Sequence, residues 1–282
     1  MSVFFQYLLK TALLLLLLAG CSTTGDRQEP ESGGPLQECI AYAQKGQYDQ
    51  SIAYCGRVIA QQPEFAEAYV HRGNAYRGLG RYDKAISDYD TAIELDPNND
   101  DFYNHRAIAY RKTGQTDKAI ADCNKALELN PRSVEAYINR GNAYIKKRRY
   151  DQVISDFNKA IELDPSSADA YFNRGLIYAS AKKQYDEAIS DFSKAIQINP
   201  EFARAYYSRG LVYDAKGNYQ KAVIDYNRAI EIDPGFANAY AKRGIFYGRT
   251  GQNRRFCADL QKACELGSCK YLDVARNVGA CP

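Results

Sequence analysis

Read as a string of apolar and polar positions, the chain divides into an apolar leader, a short polar stretch and a long periodic remainder. In the remainder, each block carries apolar residues at helical spacing, then a turn that often holds glycine (Gly46, Gly80, Gly114, Gly217, Gly251). A second helical run follows, ended by Asp-Pro or Asn-Pro. The residue before proline is pushed out of the helical region, so these dipeptides stop the second helix. Asp83, Asp117, Asp151 and Asp186 begin the second runs, where they suit an N-terminal cap and the helix dipole.

The block recurs every 34 residues. Lines of that length from Ala66 align Gly73, Gly141, Gly175, Gly210 and Gly244, with Ala107 in the remaining line. Tyr76, Tyr110, Tyr144, Tyr178, Tyr213 and Tyr247 fall three positions later, and Pro97, Pro131, Pro165, Pro200 and Pro234 close the lines. The line 168–202 needs one inserted residue near Lys182-Lys183, and a divergent earlier unit keeps Tyr48-Asp49, Ile52 and Pro63. Seven units result: 32–65, 66–99, 100–133, 134–167, 168–202, 203–236 and 237–267. One helix pair cannot bury its apolar face alone, so the units must stack.

Composition sharpens this picture. The chain has 282 residues, 24 of them tyrosine and none tryptophan. Twelve of those tyrosines occupy two columns of six units, the one above and Tyr69, Tyr103, Tyr137, Tyr171, Tyr206 and Tyr240. The columns resemble the tetratricopeptide repeat, with tyrosine where the family usually has its first-helix tryptophan. The resemblance implies an all-α fold: a right-handed superhelical solenoid of helix pairs over 36–267, with a concave and a convex face and a capping helix within 268–282.

A second pair of columns is more particular to this chain. Arg72, Arg106, Arg140, Arg174, Arg209 and Arg243 precede the glycine column, and Asp88, Asp122, Asp156, Asp191, Asp225 and Asp259 follow sixteen or seventeen residues later. An antiparallel pair hinged midway brings these to similar height, which predicts six ion pairs inside the units. The other reading is an arginine row for an anionic ligand.

In the family, first-helix positions line the concave groove. Carried over by that resemblance, the early units present Asn74, Arg77, Asn104, His105 and Arg111, a polar wall. Later units present an apolar stripe of Ile138, Phe172, Leu176, Tyr207, Leu211 and Ile245, flanked by Asn142, Asn173 and Arg204. Those three flanking residues match positions of the carboxylate clamp with which some members hold a peptide C-terminus. Ile138 and Ser208 stand where that clamp has basic residues, so the pattern departs from it. Basic residues gather at turns within units, including Lys146 to Arg149, Lys182, Lys183 and Lys216, and acidic ones at turns between units.

The eight cysteines favour an oxidising compartment. Cys39 and Cys55 face each other across the first unit's turn, a geometry that permits a disulfide. Cys257 and Cys264 lie two helical turns apart, too far to bond each other. A short helix after Gly267 that folds back brings Cys269 near Cys264 and lets Cys281 reach Cys257. Cys123 remains as a buried free thiol.

At the other end, Leu13 to Leu18 lead into Leu18-Ala19-Gly20-Cys21. This resembles the lipobox of bacterial lipoprotein signal peptides, which implies removal of residues 1–20 and acylation of Cys21, with 21–35 as a flexible tether. Ser22 in place of aspartate implies, by the same resemblance, the outer membrane facing the periplasm. Several acyl chains together give stable membrane attachment.

Two histidines, His71 and His105, leave little for histidine-based catalysis or a metal site, and a net charge of +3 gives no footprint of nucleic-acid binding. No cofactor, metal or enzyme activity is expected. The function expected is that of a lipid-anchored adapter that holds envelope proteins or peptides in its groove. The alternative is a self-associating structural protein whose groove is covered by its own terminus or by a second copy in a homodimer.

Overall fold

The computed structural model describes residues 34–282, so the leader, Cys21 and nearly all of the tether lie outside the described residues. The described residues form fifteen α-helices and no strand. They run as pairs: α1 (Pro35–Gln44) with α2 (Tyr48–Gln61), α3 (Ala66–Gly78) with α4 (Tyr82–Leu95), α5 (Asp100–Lys112) with α6 (Thr116–Leu129), and α7 (Val134–Lys146) with α8 (Tyr150–Leu163). Then follow α9 (Ala168–Ile177) with α10 (Tyr185–Ile198), α11 (Ala203–Ala215) with α12 (Tyr219–Ile232), and α13 (Ala237–Arg249) with α14 (Asn253–Glu265). A single helix, α15 (Lys270–Asn277), lies against α14. Each helix packs on the next, and α1, α3, α5 and α7 also touch in succession. The architecture is an all-α solenoid of helix pairs.

Small residues allow the pairs to close. A Cβ at Gly73 would sit 2.7 Å from Cε1 of Tyr89, and one at Gly210 would sit 2.7 Å from Cε1 of Tyr226. The first helix therefore lies directly against a second-helix aromatic, and Ala85, Ala119, Ala188 and Ala222 are likewise buried. The core is a string of small clusters, such as Val153, Phe157 and Ile177, instead of one central mass.

The tyrosines of the tryptophan column have a hydrogen-bonding role as well. Tyr69 donates its hydroxyl to the Pro63 carbonyl at 3.0 Å, and Tyr103 does the same to Pro97 at 3.0 Å. With Tyr137 and Pro131, three of these turns are thus hooked to the helix they launch. Before Pro97, Asp96 is extended (φ −137°, ψ 91°), which ends α4 as expected.

One local expectation needs correction. The aspartates at the start of the second helices do not cap them: Asp83, Asp117, Asp151 and Asp186 lie inside the first turn, and the residues before it donate or accept no side-chain capping bond. Asp117, Asp151 and Asp186 instead meet Lys147, Lys182 and Lys216 of the following unit. Side-chain caps occur on first helices, where Asn99, Ser133 and Ser167 accept from the backbone of Asp101, Ala136 and Ala170. The inserted residue is absorbed upstream of the Lys182-Lys183 turn, in a π-helical stretch over Tyr178–Lys182. Lys183 then takes the left-handed conformation (φ 59°) that glycine supplies at Gly217 and elsewhere.

The structure joins Cys39 to Cys55 (Cα–Cα 5.3 Å), Cys257 to Cys281 (Cα–Cα 5.5 Å) and Cys264 to Cys269. Cys123 is a buried free cysteine, its thiol pushed up to about 12 by burial, so it is no nucleophile at neutral pH.

Candidate functional site: the groove between repeats

The arginine column is satisfied from within. Arg174 donates through Nε and Nη2 to Asp191 at 2.8 and 2.6 Å, and Arg72, Arg106, Arg140, Arg209 and Arg243 repeat this fork on their own aspartates. Each guanidinium also lies 5.4–5.7 Å over a tyrosine ring of its own helix, as Arg243 does over Tyr240 and Arg106 over Tyr103.

A third arm was not anticipated. Nη1 of Arg106, Arg140, Arg174, Arg209 and Arg243 donates to Asp90, Asn124, Asn158, Ser193 and Asn227 on the second helix of the preceding unit. The fork therefore ties helices within a unit and, through this arm, units to each other. The signal was present as a column of hydrogen-bonding residues two positions after the aspartates. It begins only at Asp90: one period earlier stands Gly56, which offers Arg72 no side chain.

The apolar stripe is less exposed than expected. Phe172 is 2% exposed, wedged against Phe192 and Phe202 with ring centroids 5.8 and 4.8 Å away, and it belongs to the core. The reason is Phe202, which opens α11 and closes over it. Exposed Arg204 then lies 5.1 Å above the same ring. Leu176 is half-buried against this cluster, Ile138 against Val153 and Phe157, and Tyr207 between Tyr226 and Phe236. Leu211, Asn142 and Asn173 are also half-buried. Ile245 belongs to a different feature, a cleft of about 400 Å³ shared with Phe256 of α14, Tyr271 and Val274 of α15 and Val278 just beyond it. Val274 and Val278 are 56% and 73% exposed, an apolar edge at the end of α15 that the family columns gave no means of finding.

The early units carry a polar wall. Tyr89 donates its hydroxyl to Oδ1 of Asn74 at 2.8 Å, and its ring stacks on His105 with centroids 5.8 Å apart. Burial, helped by Arg77 and His71, pushes the His105 imidazole down to about 4 and keeps it neutral. Asn104 is buried and donates to Ser133 at 3.2 Å. His71, Asn74 and Arg77 also line an open pocket of about 390 Å³ together with Ile40, Gln44 and Tyr48 of the first unit. Among the described residues, no group of three or more His, Cys, Asp or Glu is placed to hold a metal ion, and no helix is long and apolar enough to cross a membrane.

Four residues of the basic edge are paired with aspartates, and Lys146, Arg148, Arg149 and Lys183 are not. Arg81 reaches Asp49, and Lys147, Lys182 and Lys216 reach the aspartates one unit back. This is a ladder between turns.

Tetratricopeptide repeat models match residues 101–133, 134–167 and 203–236, a further tetratricopeptide model matches 157–190, and a TPR repeat model matches 73–114 and 180–217. The chain belongs to the tetratricopeptide repeat family. Among solved structures, that of MamA is 34% identical, covering 59% of this chain and 96% of MamA, with a TM-score of 0.52. YrrB, described as a TPR protein with an unusual peptide-binding site, is 25% identical over 66% of this chain and 95% of its own, with a TM-score of 0.50. A tetratricopeptide repeat protein from Parabacteroides merdae shares the fold at 24% identity, with a TM-score of 0.63 over 83% of this chain and 92% of its own. No curated protein matches the chain.

Proposed function

We propose that this tetratricopeptide chain is a scaffold that holds proteins or peptides in its concave groove, anchored by lipid on Cys21 to a bacterial envelope membrane. The observation that carries the scaffold reading is the groove itself. It runs from a polar wall at His71, Asn74 and Arg77 to half-buried apolar side chains at Leu176, Tyr207 and Leu211, on a frame whose arginine row is consumed internally. The resemblance to YrrB, a protein named for a peptide-binding site, favours the same use here. Such a surface binds instead of reacting, since His105 is buried and neutral and Cys123 is buried.

The membrane address rests on the Leu18-Ala19-Gly20-Cys21 sequence, and the paired cysteines suit an oxidising envelope, with Ser22 favouring the outer membrane. Metabolic labelling with an alkyne fatty acid tests it. The expected result is label on the wild-type protein and none on Cys21→Ser; equal label on both, or label on neither, would sink the lipid anchor. For the groove, Leu176→Glu with Leu211→Glu removes peptide capture while leaving helical content unchanged.

A second reading, self-association, is favoured by the uncovered Val274 and Val278 beside Ile245. Light scattering at low micromolar concentration separates the two, because a stable dimer that Val278→Lys dissociates would assign that edge to a second copy.

A further inference from the structure

Among the described residues, half-buried arginines fall into two groups. Arg72, Arg106, Arg140, Arg174, Arg209, Arg228 and Arg243 each have a carboxylate oxygen within 4 Å. Arg77 and Arg111 are half-buried too, and no carboxylate comes within that distance of either. These two occupy one column of adjacent units, in the last turns of α3 and α5.

In this wall the donor Nε of Arg111 is buried without an acceptor, and Nδ1 of His105 and Oδ1 of Asn104 are buried without a hydrogen-bond partner as well. Because Asn74 accepts the Tyr89 hydroxyl through Oδ1, its amide NH2 is left as the donating end, and Asn74 and Arg77 share the wall of the 390 Å³ pocket. Taking a guanidinium partly out of water without a counter-charge is costly, and an incoming anion recovers that cost.

We infer that this end of the groove takes the carboxylates of an acidic segment of the protein partner, gripped by Arg77 and Arg111. This rests on the scaffold reading above and names the chemistry of one half of its groove. A planar guanidinium pairs with a carboxylate through two parallel bonds. Neighbouring helices stand about 8–10 Å apart, so the two forks suit two charges three residues apart on a polyproline II segment, where such residues share a face about 9 Å apart, better than a single compact anion.

Fluorescence anisotropy of the purified full chain tests this with three labelled pools of short peptides. The pools share randomised apolar positions and carry Glu, Gln or Lys at fixed positions three residues apart. The Glu pool should bind about tenfold or more tighter than the Gln pool at low salt. Arg77→Gln with Arg111→Gln should abolish that preference, whereas Arg254→Gln with Arg255→Gln, outside the groove, should leave it intact. Circular dichroism checks that both variants keep their helical content. Equal binding of the Glu and Gln pools, or a Glu preference that survives in the Arg77, Arg111 variant, overturns the inference while leaving the scaffold reading standing. Displacement by inorganic phosphate but not by glutarate also overturns it, in favour of a phosphate ligand. Binding of none of the pools overturns both.

Discussion

Arg106 holds Asp90, a residue of the preceding unit, through Nη1 at 2.7 Å while its other two nitrogens grip Asp122 of its own unit. One side chain therefore closes a helix pair and fastens that pair to its neighbour. The same double duty recurs at Arg140, Arg174, Arg209 and Arg243, and it makes the coupling between units polar as well as hydrophobic.

Breaking one fork should be costly. Arg174→Met strands Asp191, whose side chain is only 7% exposed, and should destabilise the protein by about 3–5 kcal/mol in urea denaturation followed by circular dichroism. Replacing both partners, Arg174→Met with Asp191→Leu, should recover most of the loss. Asn158→Ala, which removes only the third arm, should cost about 1 kcal/mol and broaden the transition.

His105 gives the fold a pH dependence. Its imidazole is held down to about 4 in the folded state against 6.5 for an ordinary histidine, so below pH 6.5 the unfolded chain takes up a proton that the folded chain refuses. Stability is full above pH 6.5 and falls as pH drops toward 4, by about 2 kcal/mol between pH 7 and pH 5. His105→Phe should flatten that part of the stability profile.

The Cys257–Cys281 link closes a span of 24 residues around α15. Cys257→Ala with Cys281→Ala should weaken the terminal helices by about 3 kcal/mol. In a repeat array this loss stays local. Hydrogen exchange should speed up in α14 and α15 and remain unchanged in α5 to α8.

Phe172 and Leu211 should separate cleanly. Phe172→Ala empties a core site and should cost about 3–5 kcal/mol, whereas Leu211→Ala should cost less and act on partner capture. Thermal unfolding followed by circular dichroism orders them.

What could be read from the sequence is what repeats. Gly73, Tyr76, Pro97 and the Arg72–Asp88 spacing return in unit after unit, so their roles in packing, stopping and pairing follow from periodicity. The groove column of Phe172 does not repeat: Val70, Asn104, Ile138, Phe172, Tyr207 and Ala241 share it, and their burial differs from unit to unit with the side chain and its neighbours. The third arginine arm was hidden for a related reason, since aspartate, asparagine and serine alternate as its acceptor. Asp117 and Asp151 were misjudged as caps because their true partners, Lys147 and Lys182, lie a whole unit away. The exposed edge of α15 has no counterpart in the earlier units.

The inter-unit clasp has an evolutionary consequence. Its acceptor tolerates three residue types while its donor stays arginine, so any interior unit can meet any other across the same joint, and units are interchangeable parts whose number can change by duplication or loss without a redesigned interface. The two ends are exempt. Gly56 stands where Arg72 would find its acceptor, and Asn277 stands one period after Arg243 where the next donor would be. The first and second units therefore meet without this arm, and α15 docks on α14 without one.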